Sequence, residues 1–249
     1  MDSALVLTWR QYRLERRMFW RNPSAAFFNF LLPLILLALV GGLASNDQKA
    51  LNVIVPGIAG MSILSTTFTA LAFNITQLRE MGVLKRIRGT PLPTGAYLGG
   101  VAANAVTNAA VQIALVVLAG RAFFGIGWPK DWLELAVFAV VGVATLAALG
   151  VAFSHLIPNF DAAPAYTNIV FLPVIFISGV FYDVDTAPQF LTDIARVLPL
   201  THVIDGFSAA MVTGASLSDH AGDLAVVAAW GLAGAIFAVR GFSWESRRS

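Results

Sequence analysis

LREMGVLKRIRGTPLP, Leu78 to Pro93, is a compact basic segment set between two long apolar runs. Lys85, Arg86 and Arg88 cannot rest in hydrocarbon, whereas the runs on either side are long and free of charge. The segment therefore reads as a loop at the cytoplasmic membrane surface. An acid (Glu80), a glycine (Gly82), a short basic-amphipathic turn and a double proline stop follow one another within it. That content suits a docking element better than a plain connector.

Composition agrees with a lipid-embedded chain. Hydrophobic residues make up 57% of the 249 residues and charged ones 12%, against about 25% charged in an ordinary soluble domain. The absence of cysteine excludes disulfides, thiol catalysis and Cys-based metal sites. A net charge of +2 is too small for a nucleic-acid-binding surface; where the charges lie matters more.

Six runs free of Asp, Glu, Lys and Arg are span candidates: Ala25–Ala44, Leu51–Ile75, Gly95–Leu118, Leu135–Ile157, Ala162–Phe181 and Leu224–Val239. A bilayer core about 30 Å thick takes about 20 such residues as a helix. The runs are continuous rather than alternating, which favours helices over a barrel. The last is short and is expected to extend past Arg240 to Trp244 with the arginine snorkelling.

The basic residues orient the chain. Arg10, Arg13, Arg16, Arg17, Arg21, Arg79, Lys85, Arg86, Arg88, Arg240, Arg247 and Arg248 fall on one side; Lys49, Arg121, Lys130 and Arg196 fall on the other. Both termini and the basic segment are thus expected in the cytoplasm. The N-terminal charged region is too long for a signal peptide, and the run after it is long enough to span. The expectation is a single permease domain over 1–249, with an interfacial helix at 1–23, a coupling segment at 76–94 and an outer-side helical loop at 182–223. In that loop, Pro188 and Pro199 divide apolar residues at helical spacing into two short helices.

Arg10, Arg13, Arg17 and Arg21 share one helical stripe, with Leu5, Trp9, Tyr12, Phe19 and Trp20 roughly opposite. This describes a helix lying in the membrane surface, its aromatics at the headgroup level. Arg16 falls in the apolar stripe, and Leu7 and Leu14 lie near the basic one. Asn22-Pro23 turns the chain into the first run. The helix serves either as a topology anchor or as a lever tied to an inner-side partner.

Two polar stripes lie inside the runs. Ser62, Ser65, Thr66 and Thr69 recur at i, i+3, i+4 and i+7, and Asn104, Asn108 and Gln112 at i, i+4 and i+8. Such faces point away from lipid. Interhelical packing is the simpler role, and a weakly polar lining for an amphiphilic substrate is the alternative. No Gly-Lys dipeptide occurs, so a P-loop is absent and any ATP must be hydrolysed by another chain. His155, His202 and His220 share no metal-ligand spacing, and no Gly-x-Ser-x-Gly elbow is present.

Three of these regions together resemble the membrane subunit of ATP-binding-cassette exporters of the type-2 permease family, the drug, polyketide, polysaccharide and lipid group. REMGVLKRIRGTPLP resembles that family's signature after the second span. SGVFYDVDTAP and LPLTHVIDG resemble its region around the fifth span, and the Arg-rich helix ending in Asn-Pro is similar too. The resemblance covers essentially the whole chain. One departure is Gly206-Phe207-Ser208, where the family pattern has an arginine soon after the acid.

The resemblance implies an all-α fold of six transmembrane helices, with Glu80, Gly82, Leu84, Lys85 and Arg86 docking on a separate ATPase. It also implies a second permease copy or homologous permease, ATP and Mg bound only by the partner ATPase, and a bacterial inner-membrane location. Cargo is expected to be hydrophobic or amphipathic, since no charged residue lies within a run. An ion-gradient-driven carrier is the alternative, although no intramembrane acid is visible for coupling. An intramembrane enzyme would need converging groups, for which only His155, Asp161 and His202 are available.

Overall fold

A computed structural model describes residues 3–89 and 92–241, all helices and connectors with no strand among them. Thr90 and Pro91 of the basic segment, and Trp244, Arg247 and Arg248, lie outside the described residues. The helices are α1 (Ala4–Trp20), α2 (Pro23–Leu43), α3 (Gln48–Leu64), α4 (Ala70–Glu80), α5 (Val83–Arg88), α6 (Thr94–Phe124), α7 (Trp132–Phe153), α8 (Ala163–Ile177), α9 (Gln189–Ala195), α10 (Pro199–Ser208) and α11 (Ala221–Gly241).

Local chemistry sets several boundaries. Asp47 and Asp131 begin α3 and α7, each accepting two backbone N–H bonds through its side chain, which satisfies donors that a helix start leaves unpaired. Pro23 opens α2 and Pro199 opens α10, positions where the missing N–H costs nothing. Gly125, with φ of 67°, stops α6.

Among the described residues, four helices are long and apolar enough to cross a membrane: Gln48–Glu80, Gly95–Phe124, Trp132–Phe153 and Ala221–Arg240. The first and fifth runs form shorter apolar helices, Asn29–Leu43 within α2 and Ala163–Ile177. The six-span expectation therefore meets four full-length helices and two short ones. At 15 residues, α8 rises only about 22 Å, because Gly179 at φ 75° turns the chain just after Ser178.

The second run behaves differently. α3 and α4 join through a π-helical turn at Ser65–Thr69 into one 33-residue rod. Such a rod is about 50 Å long, well beyond a bilayer core of about 30 Å. The extra residue of a π turn rotates the helix face, and such turns recur at functional positions. Here the backbone of α7 comes so close that a Cβ on Gly150 would lie 2.6 Å from the Phe68 carbonyl oxygen.

The core gathers around α3. Ile58, Ile63, Phe138, Leu146, Leu200 and Phe207 are among its fully buried members from α3, α7 and α10. α10 is packed against α3, α7 and α11 rather than floating in a loop. Its short, interrupted backbone is thus buried in protein, the setting in which irregular structure is tolerated at membrane depth.

Gly150→Ala should weaken the α7 contact by about 1–3 kcal/mol through overpacking against fixed backbone, lowering the melting temperature in detergent. Gly42→Ala, with open space around its Cβ, should melt no lower than wild type.

Candidate functional site

The basic segment folds as an elbow. α4 ends at Glu80, Met81 follows, and Gly82 adopts φ 67° before α5 starts. That left-handed conformation is open to glycine at little cost and lets two helices meet at a sharp angle. The Arg86 guanidinium donates to the Met81 carbonyl at 3.3 Å across the bend.

Leu84 was expected to be an apolar knob offered to a partner. Instead it is 0% exposed and packs inward in a cluster with Leu71, Ile75, Tyr97, Val151 and Ala238. The exposed apolar position is Met81, at 61%, flanked by exposed Lys85 and Arg86. Its signal in the sequence was a large apolar residue directly before a helix-breaking glycine.

Two neighbouring charges fasten the elbow. Arg79 is only 6% exposed; its Nη1 donates to the Ser154 carbonyl at 3.1 Å and its Nη2 to the Ile157 carbonyl at 2.6 Å. These carbonyls lie at and just past the C-terminal end of α7, where a helix leaves acceptors unpaired and its dipole favours a cation. The Glu80 carboxylate accepts from the Phe160 N–H three residues further on. Glu80, expected at a docking surface, is exposed yet engaged in a bond within the chain. The elbow and the 154–160 turn thus form one fastened unit.

The polar stripes of the second and third runs are mostly engaged between helices. Thr66 donates to the Asn29 side chain at 3.3 Å, and Gln112 to the Asn29 carbonyl at 2.5 Å. Arg16 of α1 donates to Asn108. Ser62 bonds back to the Ile58 carbonyl within its own helix. Ser65 and Thr69 are half-buried, while Thr67, absent from the expected stripe, is fully buried because the π turn shifts the face. Asn104 Oδ1 and Thr69 Oγ1 are buried with no hydrogen-bond partner among the described residues. Asn104 lines a 230 Å3 cavity with Glu15, Asn29, Thr66, Asn74 and Asn108, closed on one side by α1. A larger, apolar cavity of 570 Å3 lies among α7, α8 and α11, walled by Phe68, Phe153, Val170, Trp230 and Phe237.

α1 lies along α6. The face it buries is polar: Gln11 and Glu15 are buried and bonded to one another at 2.7 Å. Arg10, Arg13, Arg17 and Arg21 are exposed, as are Trp9 and Trp20. Arg16, the misfit of the apolar stripe, lies over the Phe19 and Trp20 rings as well as bonding Asn108. Burial pushes the Glu15 carboxyl above its ordinary 4.5, against a smaller lowering by the Gln11 amide.

Leu84→Ala should cost about 2–5 kcal/mol of stability by opening a cavity, read as a lower melting temperature in detergent. For Glu15 the folded state favours the proton. Its stabilising share is full below 4.5 and is lost as pH climbs through the raised folded value. Over that climb the wild-type melting temperature should fall more than that of Glu15→Gln.

The comparisons with known proteins cover most of these features. The sequence pattern of the family described as ABC-2 type transporter matches residues 3–212. Nodulation protein J of Rhizobium leguminosarum bv. trifolii is 28% identical over 171 residues, 69% of this chain and 63% of that protein. Nodulation protein J of Rhizobium meliloti (strain 1021) is 25% identical over 209 residues, 80% of this chain and 78% of that protein. The inner membrane transport permease YadH of Escherichia coli (strain K12) is 22% identical over 154 residues, 62% of this chain and 60% of that protein. In the first and last of these the match spans about three fifths of the relative's length. The elbow, its fastening to the α7 end, and every helix from α1 through α10 lie inside the matched stretch, and the chain belongs to the ABC-2 type transporter family.

Proposed function

We propose that this chain is the membrane-spanning half of an ATP-driven exporter, with ATP and Mg bound and hydrolysed on a separate nucleotide-binding subunit. The observation that carries the reading is the elbow. It offers Met81, Lys85 and Arg86 outward while Leu84, Arg79 and Glu80 lock it to the helices behind. An apolar knob beside two cations can seat in a partner's cleft, and a fastened base can carry a rigid push. Lys85 and Arg86 contribute contact and steering, Leu84 anchors, and Gly82 sets the angle.

The charge bias supports a bacterial inner-membrane orientation with both termini and the elbow in the cytoplasm. The printed description of YadH as an inner membrane transport permease supports the same location. A path between this chain and a second permease copy, or a homologous permease, would serve a hydrophobic or amphipathic drug, lipid or glycolipid-like cargo. The 570 Å3 apolar cavity supports an apolar cargo portion, and the 230 Å3 cavity with its unpaired Asn104 oxygen supports a weakly polar contact. α1 rests on lipid headgroups through Trp9, Trp20 and its arginines.

Tagged chain purified from native membranes should bring down a P-loop protein with ATPase activity. Lys85→Glu with Arg86→Glu should lose that partner while the chain still reaches the membrane in folded form. A clean single chain without ATPase activity would contradict the proposal.

A further inference from the structure

The connection from α8 to α11 encloses a second polar cavity, of 370 Å3. It lies far from the elbow. Asp223 in the first turn of α11 lines it, whereas Ala238 near the other end of α11 packs in the elbow's cluster; that separation is about 22 Å along the helix. Asp183, Asp185, Asp205 and Asp223 line the cavity together with Arg196, so carboxylates outnumber guanidinium.

The hydrogen bonds there are short of a positive particle. His202 Nε2 lies 2.9 Å from the Arg196 carbonyl oxygen. A carbonyl only accepts, so this nitrogen carries the ring hydrogen. His202 Nδ1 lies 2.7 Å from Asp223 Oδ1. Two lone pairs do not face each other at that distance, so a proton lies between them, and a metal ion binding there would have to displace it. The other Asp223 oxygen lies 2.9 Å from His220 Nδ1, which orients the carboxylate. Asp205 adds a further carboxylate, and one donor atom from each of His202, Asp205 and Asp223 falls within 4.8 Å of the others.

A second observation points into the same space. Ser178 and Thr201, 1% and 5% exposed, line this cavity, and their hydroxyl oxygens have no hydrogen-bond partner among the described residues. Leaving such a group buried and unpaired costs about 1–3 kcal/mol. Water held on a metal ion would satisfy both.

We propose that His202, Asp205 and Asp223 bind a divalent transition-metal ion of the zinc type, with its remaining position taken by water that Ser178 and Thr201 hold. One imidazole and two carboxylates leave an open position, as three-ligand zinc sites do. An imidazole ligand disfavours the hard, oxygen-seeking Ca2+ and Mg2+. The Nε2 hydrogen on a backbone carbonyl is the orienting contact that metal-ligating histidines use. The ion displaces the proton between Nδ1 and Oδ1, the two atoms parting to coordination distance, and ties α10 to the first turn of α11. This site is independent of ATPase docking, so its success or failure leaves the exporter reading untouched.

The test is isothermal titration of chelator-stripped full chain in detergent with Zn2+, and with Mg2+ as the control. The wild type should bind one Zn2+ per chain, and Asp205→Asn and Asp223→Asn should each weaken binding by about tenfold or more. No hydrogen bond among the described residues ends on the Asp205 carboxylate, so Asp205→Asn carries the test even where Asp223→Asn fails to fold. Absence of saturable Zn2+ binding would overturn the proposal. So would unchanged affinity in Asp205→Asn, or equal binding of Mg2+.

Discussion

A single buried guanidinium fixes the relation between the elbow and the rest of the molecule. Arg79 leaves the end of the long α3–α4 rod and donates to carbonyls at the end of α7. Hydrogen bonds from a charged donor are worth about 1.5–3 kcal/mol, and removing the donor would strand acceptors that no helix turn can satisfy. Glu80 closes the same junction from its other side by accepting from Phe160. Because of these bonds, α4, the end of α7 and the turn into α8 cannot move separately. In the proposed exporter, a displacement applied at Met81 passes through this junction to α7 and, by way of the π turn against Gly150, to the middle of the bundle.

Much of the architecture was legible because lipid is an unforgiving solvent. Charge is excluded from long stretches, so the runs from Leu51, Gly95, Leu135 and Leu224 announce themselves, and each coincides with a helix long enough to cross, although the run from Leu135 to Ile157 outlasts its helix, which stops at Phe153. The bend at Gly82 comes from the structure, since the sequence placed this glycine only among the docking residues. The fifth run read as longer than its helix because Ser178–Phe181 is apolar enough to continue a span but turns at Gly179.

What escaped the sequence was the direction in which particular side chains face. α5 is six residues long, too short for periodicity to tell its inner face from its outer. Only the pocket formed by Tyr97, Val151 and Ala238 decides that Leu84 turns inward. An arginine that caps a distant helix looks in sequence like any surface arginine, so Arg79 was counted only for charge bias. On α1 the buried face is made of Gln11 and Glu15, residues that a hydrophobicity argument sends to water. They are buried because they bond to one another and because α6 presents amides such as Asn108 nearby. The stripe from Ser62 to Thr69 assumed an unbroken 3.6-residue period, which the π turn does not keep.

The central claim is that the elbow is the surface on which a nucleotide-binding partner acts. The chain has no cysteine, so Met81→Cys places one thiol at the tip of the elbow. Reaction of that thiol with a maleimide photo-cross-linker in native membranes, followed by identification of the adduct, tests the claim most directly. A covalent adduct with a P-loop ATPase chain should form, and it should be lost when Lys85 and Arg86 are both reversed to glutamate. Labelling of the same thiol by a membrane-impermeant reagent added outside intact cells, with no adduct to any nucleotide-binding chain, would contradict it.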